Sequence, residues 1–189
     1  QLSAPEQALL TNPQNLLCYA HVIHEKKMRG EAASSVGALQ DLYNQLWTLK
    51  VEHPRDWAGD VDDLRQTIYT LTDAISCSQL LHQPASVLEA HTEYLESVGL
   101  LSSSGTSYSF FHQSFFDYCF SRRFTSQRDS LANFVLDSDQ GFFVRAQMVQ
   151  VLTYLRSTNE QSCHAALEAL LWPERGRRLR FHLRSLLLA

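Results

Sequence analysis

Residues 109–124 read SFFHQSFFDYCFSRRF, and residues 100–108 before them read LLSSSGTSY. An apolar pair, a Ser/Gly turn at 102–107 and then Tyr108, Phe110 and Phe111 predict a short β-hairpin. From His112 onward, Phe115, Phe116, Cys119, Phe120 and Phe124 recur at helical spacing. Hairpin therefore runs straight into helix, with His112 at the join. Packing of hairpin against helix accounts for the phenylalanines and leaves the imidazole unexplained. A helix N-terminus carries a positive dipole end and unpaired N–H groups, a setting that suits an anion such as phosphate. The competing reading is a partly buried histidine bonded to a carbonyl. Residue physics alone leaves both open.

Upstream of the hairpin the chain reads as helices. Gly (7) and Pro (5) are scarce and 44% of residues are hydrophobic, which predicts a mostly helical fold with a packed core. Asn12-Pro13 breaks a short first helix and opens a second, because proline is tolerated in the first helical turn. Leu16, Leu17, Ala20, Ile23 and Met28 then give a rough 3–4 spacing, and Val36 to Leu49 a stronger one. After the break at HPRDWAGD (53–60), an acidic start leads into Leu64, Ile68, Leu71 and Ile75 on one face. Pro84 is expected to open a further helix through Val98, stopped by Gly99 at its C′ position. Helix, turn, helix and hairpin form the order of a winged helix. Beyond His112, amphipathic segments at 128–136, 141–156, 159–171 and 176–188 suggest paired antiparallel helices, the start of an α-solenoid.

Charge and motif content exclude several functions. The net charge of −4 is uneven: residues 1–121 hold 6 Lys/Arg against 14 Asp/Glu, and residues 122–189 hold 10 against 6. The densest basic run is ERGRRLRFHLR (174–184), read either as a solvated helix face or as a docking surface for an acidic partner or nucleic acid. The second helix of the expected winged helix carries Glu89, Glu93 and Glu96 and no Lys or Arg. Such a helix would repel a phosphate backbone, which argues against DNA recognition through it. No P-loop, G-x-G-x-x-G or G-x-S-x-G occurs. His21 and His24 share a helix face beside Glu25 but read as a polar surface pair, and no metal site is expected. Cys18, Cys77, Cys119 and Cys163 lie more than forty residues apart and are taken as buried free thiols in a reducing compartment. No signal peptide and no long apolar run is visible, so a soluble cytoplasmic protein without membrane contact is expected. The chain lacks an initiator Met and ends on RSLLLA in mid-pattern, so it is expected to be part of something larger.

Two stretches carry a family resemblance. LLTNPQNL (9–16) resembles the segment that follows the nucleotide-binding core in the NACHT branch of the STAND signal-transduction NTPases, which includes NLR-like immune receptors. FFHQSFFDYCFSRRF (110–124) is similar to the signature that ends that family's winged-helix domain, with Phe110, His112, Ser114, Phe115, Asp117 and Tyr118 at its positions. The resemblance implies that Pro13 packs near an adenine and that His112 contacts the β-phosphate of ADP, clamping a closed, inactive state. It names phosphate as the anion at His112. The chain departs from the family in lacking P-loop, Walker B acid and sensor residues, so ADP or ATP is expected only together with an upstream core, and no enzymatic activity in this chain alone.

These readings combine into a mainly α protein of three parts: a helical domain at 1–58, a winged helix with its hairpin at 59–124, and a HEAT-like helical segment at 125–189. The expected role is regulatory, coupling nucleotide exchange to oligomerisation and signalling, with defence as the family-level context. The implied partners are the chain's own upstream nucleotide-binding domain, further copies of the full-length protein, and a protein ligand sensed C-terminally. The alternative is a winged-helix or helical scaffold that binds nucleic acid or protein through the Arg-rich C-terminal helix.

Overall fold

The computed structural model describes residues 3–32, 34–88, 90–127, 129–173 and 178–188. Over these residues the chain is mainly helical, with ten α-helices and a small three-stranded antiparallel sheet. It divides into two compact units, Gln1–Thr67 with Glu89–Leu101, and Ile68–Leu88 with Ser102–Ala189. No helix among the described residues is long and apolar enough to cross a membrane.

In the first unit, α1 (Ala4–Leu10) starts on a capping box. Glu6 N donates to Ser3 Oγ at 3.4 Å while Ser3 N donates to Glu6 Oε2 at 2.7 Å. The other carboxylate oxygen of Glu6 accepts from Val36 N at 3.1 Å, so one side chain both caps α1 and anchors the approach to α3. These bonds, from Ser3 first and then Val36, hold the Glu6 carboxyl below the usual carboxylate range.

Helix α2 (Pro13–Met28) follows after the Asn12 cap, with proline in its first turn as expected. Its buried face differs from the expected stripe. Asn15, Cys18 and Val22 point inward, whereas Leu16, Leu17, Ala20 and Met28 are exposed and Ile23 is half-buried. The reason is polar: Asn15 Nδ2 donates to the Leu9 carbonyl at 3.0 Å, which turns that face toward α1. Helix α3 (Leu39–Trp47) buries Leu42, Tyr43, Leu46 and Trp47, then widens into a π-helical turn at Thr48–Glu52. There Leu49, Lys50 and Val51 are buried in succession. Arg29 Nη2 donates to the carbonyls of Leu49 at 2.9 Å and His53 at 2.6 Å, satisfying acceptors that the turn leaves open.

Helix α4 (Val61–Ser78) begins in the first unit and continues into the second. The expected helix from Pro84 does not form. Gln83–Pro84 is strand β1, Ala85–Val87 a 3₁₀ turn, and α5 spans only Thr92–Ser97. Proline biases the residue before it toward extended backbone, and Gln83 and Pro84 pair antiparallel with Tyr108 and Ser107. Proline sits on an edge strand, where its missing N–H costs no ladder bond. Glu93 and Glu96 lie on α5; Glu89 falls outside the described residues. Gly99, at φ +75°, ends α5 as expected, and Leu100 N closes on Leu95 O at 2.9 Å.

Strand β2 (Leu101–Ser103), which passes into the second unit at Ser102, turns through Gly105, at φ +65°, into β3 (Ser107–Phe110), giving the sheet order β1-β3-β2. The predicted hairpin is therefore present and gains a third strand. Helix α6 (Gln113–Gln127) packs along α8 (Phe142–Thr158), which in turn packs on α9 (Glu160–Leu171). α7 (Leu131–Asp137) rests on both α8 and α9. Phe120, Phe124 and Phe134 join α6 to α7 at centroid distances of 5.4–5.9 Å. α10 (Phe181–Leu188) follows; of the basic run 174–184, residues 174–177 lie outside the described residues. Cys18, Cys119 and Cys163 are buried thiols as expected, but Cys77, in the last turn of α4, is exposed.

Gly99 has open space where a Cβ would stand, so its only constraint is the left-handed backbone. Gly99→Ala is expected to lower stability by about 1–2 kcal/mol, read as a lower urea midpoint with an unchanged m-value.

Candidate functional site

The join between β3 and α6 is built from aromatic rings. Phe110, Phe115 and Phe116 are buried, with Phe110 at 5.8 Å from Phe115 and 6.2 Å from Phe116, ring centre to ring centre. Phe111 lies 5.0 Å from Phe115, and Tyr118 stacks on Phe115 at 5.7 Å. These contacts fix the angle at which the strand enters the helix.

His112 is the residue immediately before α6, and it is exposed. Its carbonyl accepts from the amides of Phe115 at 3.1 Å and Phe116 at 3.3 Å. Its ring turns back on the helix: Ser114 N donates to Nδ1 at 3.2 Å, and Ser114 Oγ stands 2.6 Å from the same nitrogen. An Nδ1 that accepts an amide N–H carries no proton of its own, so the neutral ring holds its proton on Nε2. The imidazole thus does the work usually given to a Ser or Asn cap. Neither starting alternative describes it fully. The ring is not bonded to a carbonyl, and three amides of the first turn are already engaged within the helix start. What remains for an anion is the Nε2–H donor and the amide of Gln113.

Two further residues of this stretch lie inward. Ser121 Oγ donates to the Asp117 carbonyl at 2.8 Å, while the Asp117 side chain is buried, and burial pushes its carboxyl up to about 6. Burial likewise raises the Cys119 thiol, which leaves it inert as a nucleophile. Arg123 Nη2 pairs with Asp73 Oδ2 at 3.2 Å, and its guanidinium lies 5.0 Å from the Tyr69 ring centre.

Pro13 belongs to the first unit. It is exposed at the first position of α2, where Asn12 Oδ1 accepts from Gln14 N at 2.9 Å. Leu16 and Leu17 beside it are each about half exposed.

The first unit also holds a polar cavity of about 430 Å³ that sequence reading did not assemble. His21, His24, Glu25, Lys50, Asp56 and Tyr94 line it. Lys50 Nζ and Glu25 Oε1 are 2.7 Å apart, with both side chains nearly buried. Burial, the largest single influence, opposes the Glu25 charge, but the Lys50 contact together with the charges of Arg55 and Arg29 holds the carboxyl below its ordinary value. Tyr94 donates to the Lys50 carbonyl at 3.1 Å, and burial raises its phenol to about 12. A lysine set between Leu49 and Val51 was the available signal; its partner, 25 residues earlier, was not visible from spacing. Among the described residues no group of three or more His, Cys, Asp or Glu could hold a metal ion.

No family model, curated protein or solved structure matches the chain.

Three outcomes are expected. His112→Asn keeps a good cap and leaves stability unchanged, whereas His112→Leu loses about 1 kcal/mol, both measured by urea denaturation. Asp117→Asn raises stability at neutral pH by up to about 3 kcal/mol. The sign follows from the raised carboxyl: burial costs nothing while Asp117 is protonated below 3.8, and the cost accrues as pH rises through about 6. Wild type and variant therefore converge in acid. Lys50→Met leaves Glu25 unpaired and costs about 3 kcal/mol at neutral pH. The wild-type contribution of Glu25 is complete above 4.5 and is lost as pH falls through the depressed value, so the two stability curves approach each other there.

Proposed function

We propose that this chain is the regulatory helical and winged-helix part of a STAND-class NTPase of the NACHT branch. In this reading ADP bridges an upstream nucleotide-binding core and this segment, and its exchange for ATP releases the segment for oligomerisation and signalling in the cytoplasm. Catalysis belongs to that core and not to these residues. His112 is the phosphate contact and Pro13 the adenine contact.

The observation that carries the reading is the state of His112. Its exposed ring is held by Ser114 through Nδ1, which leaves Nε2–H as an outward donor at the start of a 15-residue helix. The chain order α4–β1–α5–β2–β3 supports the winged-helix assignment. The succession of α7, α8 and α9, joined by short connections and packed on one another, supports the HEAT-like assignment of 125–189. The energetics are those of a differential ligand: ADP closes the protein only as far as it binds the closed state better.

The test separates capping from ligand contact. In the full-length protein, His112→Asn keeps the helix cap and removes the Nε2–H donor. Loss of that charge-assisted bond weakens closure by about 1.5–3 kcal/mol, so release of a fluorescent ADP analogue is expected to accelerate at unchanged melting temperature. Equal release rates for wild type and variant would remove His112 from the nucleotide site and the reading with it.

A further inference from the structure

Two cavities of the second unit lie on its α7–α9 face. Two adjoining hollows, of about 650 and 560 Å³, share Ser130, Ala132, Ala165 and Ala169 as common wall. Together they make one trough between α7 and α9, with Phe124, Leu131 and Leu155 at one end and Trp172 at the other. Its small alanine side chains would let another helix approach closely. Asp129, Asp137 and Glu168 line it, and no Lys or Arg does among the described residues. Trp172 is 74% exposed at its mouth. The trough therefore combines three acids with alanine, leucine and aromatic side chains, and is about 15 Å long between Ser162 and Trp172 at the helical rise per residue.

α10 carries the complementary surface. Leu183 is fully buried and Leu186 and Leu187 are half-buried, which defines its inner face. Phe181, Arg184, Ser185 and Leu188 fall at i, i+3, i+4 and i+7 on the outer face and are all exposed, Phe181 at 86% and Leu188 at 67%. Arg178 and Arg180 precede it. His182 Nε2 bonds with the Gln140 carbonyl at 3.1 Å and Arg180 N donates to Gln140 Oε1 at 2.7 Å, so the inner side of this segment is fixed in place. The outer face is a basic amphipathic surface whose apolar anchors span about 10 Å. That is the pattern by which a helix seats in a groove.

We infer that α10 of one copy docks into the α7–α9 trough of a second copy, with Phe181 and Leu188 on its alanines and Arg184 against Glu168. The occupant is set by charge and shape together: among the described residues the trough offers Asp129, Asp137 and Glu168, which suit the arginine-bearing face of α10 and not an acidic helix or an anionic polymer. Because helix and trough are different surfaces, the contact is head-to-tail and leaves each copy with one free trough or one free helix. This inference is independent of the nucleotide reading above.

The test is the molar mass of the chain in solution, by analytical ultracentrifugation over a series of concentrations. The wild type is expected to associate as concentration rises. Glu168→Arg or Arg184→Glu alone is expected to weaken association by roughly tenfold or more, and Phe181→Ser to abolish it. All three positions are exposed, so circular dichroism and melting temperature are expected to match the wild type. Mixing the Glu168→Arg and Arg184→Glu proteins restores pairing, because the reversed trough meets the reversed helix. A wild type that stays monomeric at every concentration overturns the proposal. So does association that ignores both charge reversals, or a monomer that instead binds duplex nucleic acid through Arg178, Arg180 and Arg184.

Discussion

A helix that starts directly after a strand has no loop in which to bury its unpaired amides, and the second unit depends on how that difficulty is met between β3 and α6. His112 answers it with two acceptors, the carbonyl for Phe115 and Phe116 and the ring for Ser114. Phe110, Phe115 and Phe116 are buried on either side of the join, while His112 itself stays exposed. α6 then carries the rest. α8 lies along it through Phe116–Phe143 and Tyr118–Tyr154, α7 through Phe120 and Phe124 against Phe134. Direction at the first turn of α6 sets where all of these contacts fall.

The first unit is organised by polar groups rather than by rings. Glu6 joins α1 to the segment before α3, Arg29 closes the π-helical turn, and Lys50 meets Glu25 beside the polar cavity. Each buried charge there has a partner, which is the condition for burying it at tolerable cost. Asp117 in the second unit follows a different rule: its carboxyl is buried and shifted toward the neutral form. The contrast shows two ways of carrying an acid inside a small helical core, by pairing it or by discouraging its ionisation.

In the proposed reading His112 serves twice, as the observed helix cap and as a ligand contact. A cap that is also a ligand contact fixes the tautomer before any ligand arrives, so the outward donor is preorganised and loses little entropy on binding. The same economy means that a plain loss of the residue would disturb folding and recognition together, and only a substitution that preserves the cap separates them. The proposed nucleotide role rests on that donor and on the resemblance of the surrounding residues. The proposed self-association rests on a different part of the unit, where acidic trough and basic helix face carry opposite charge and matching apolar surface.

Sequence by itself determined the helical class, the hairpin at 101–110, the stop at Gly99 and the helix from Gln113, because each is written in local spacing or in a residue with few conformational choices. It also singled out His112, since an imidazole between phenylalanine pairs has no packing purpose. Tertiary structure decided what local pattern could not. Pro84 entered a strand because β3 offered it a partner more than twenty residues away. The inner face of α2 followed the Asn15–Leu9 bond instead of its leucines. Lys50 found Glu25 across 25 residues of chain, and the ring of His112 turned onto Ser114. In each case the deciding term was a hydrogen bond or ion pair whose partner or direction is set only when the chain has folded back on itself, and periodicity carries no record of it.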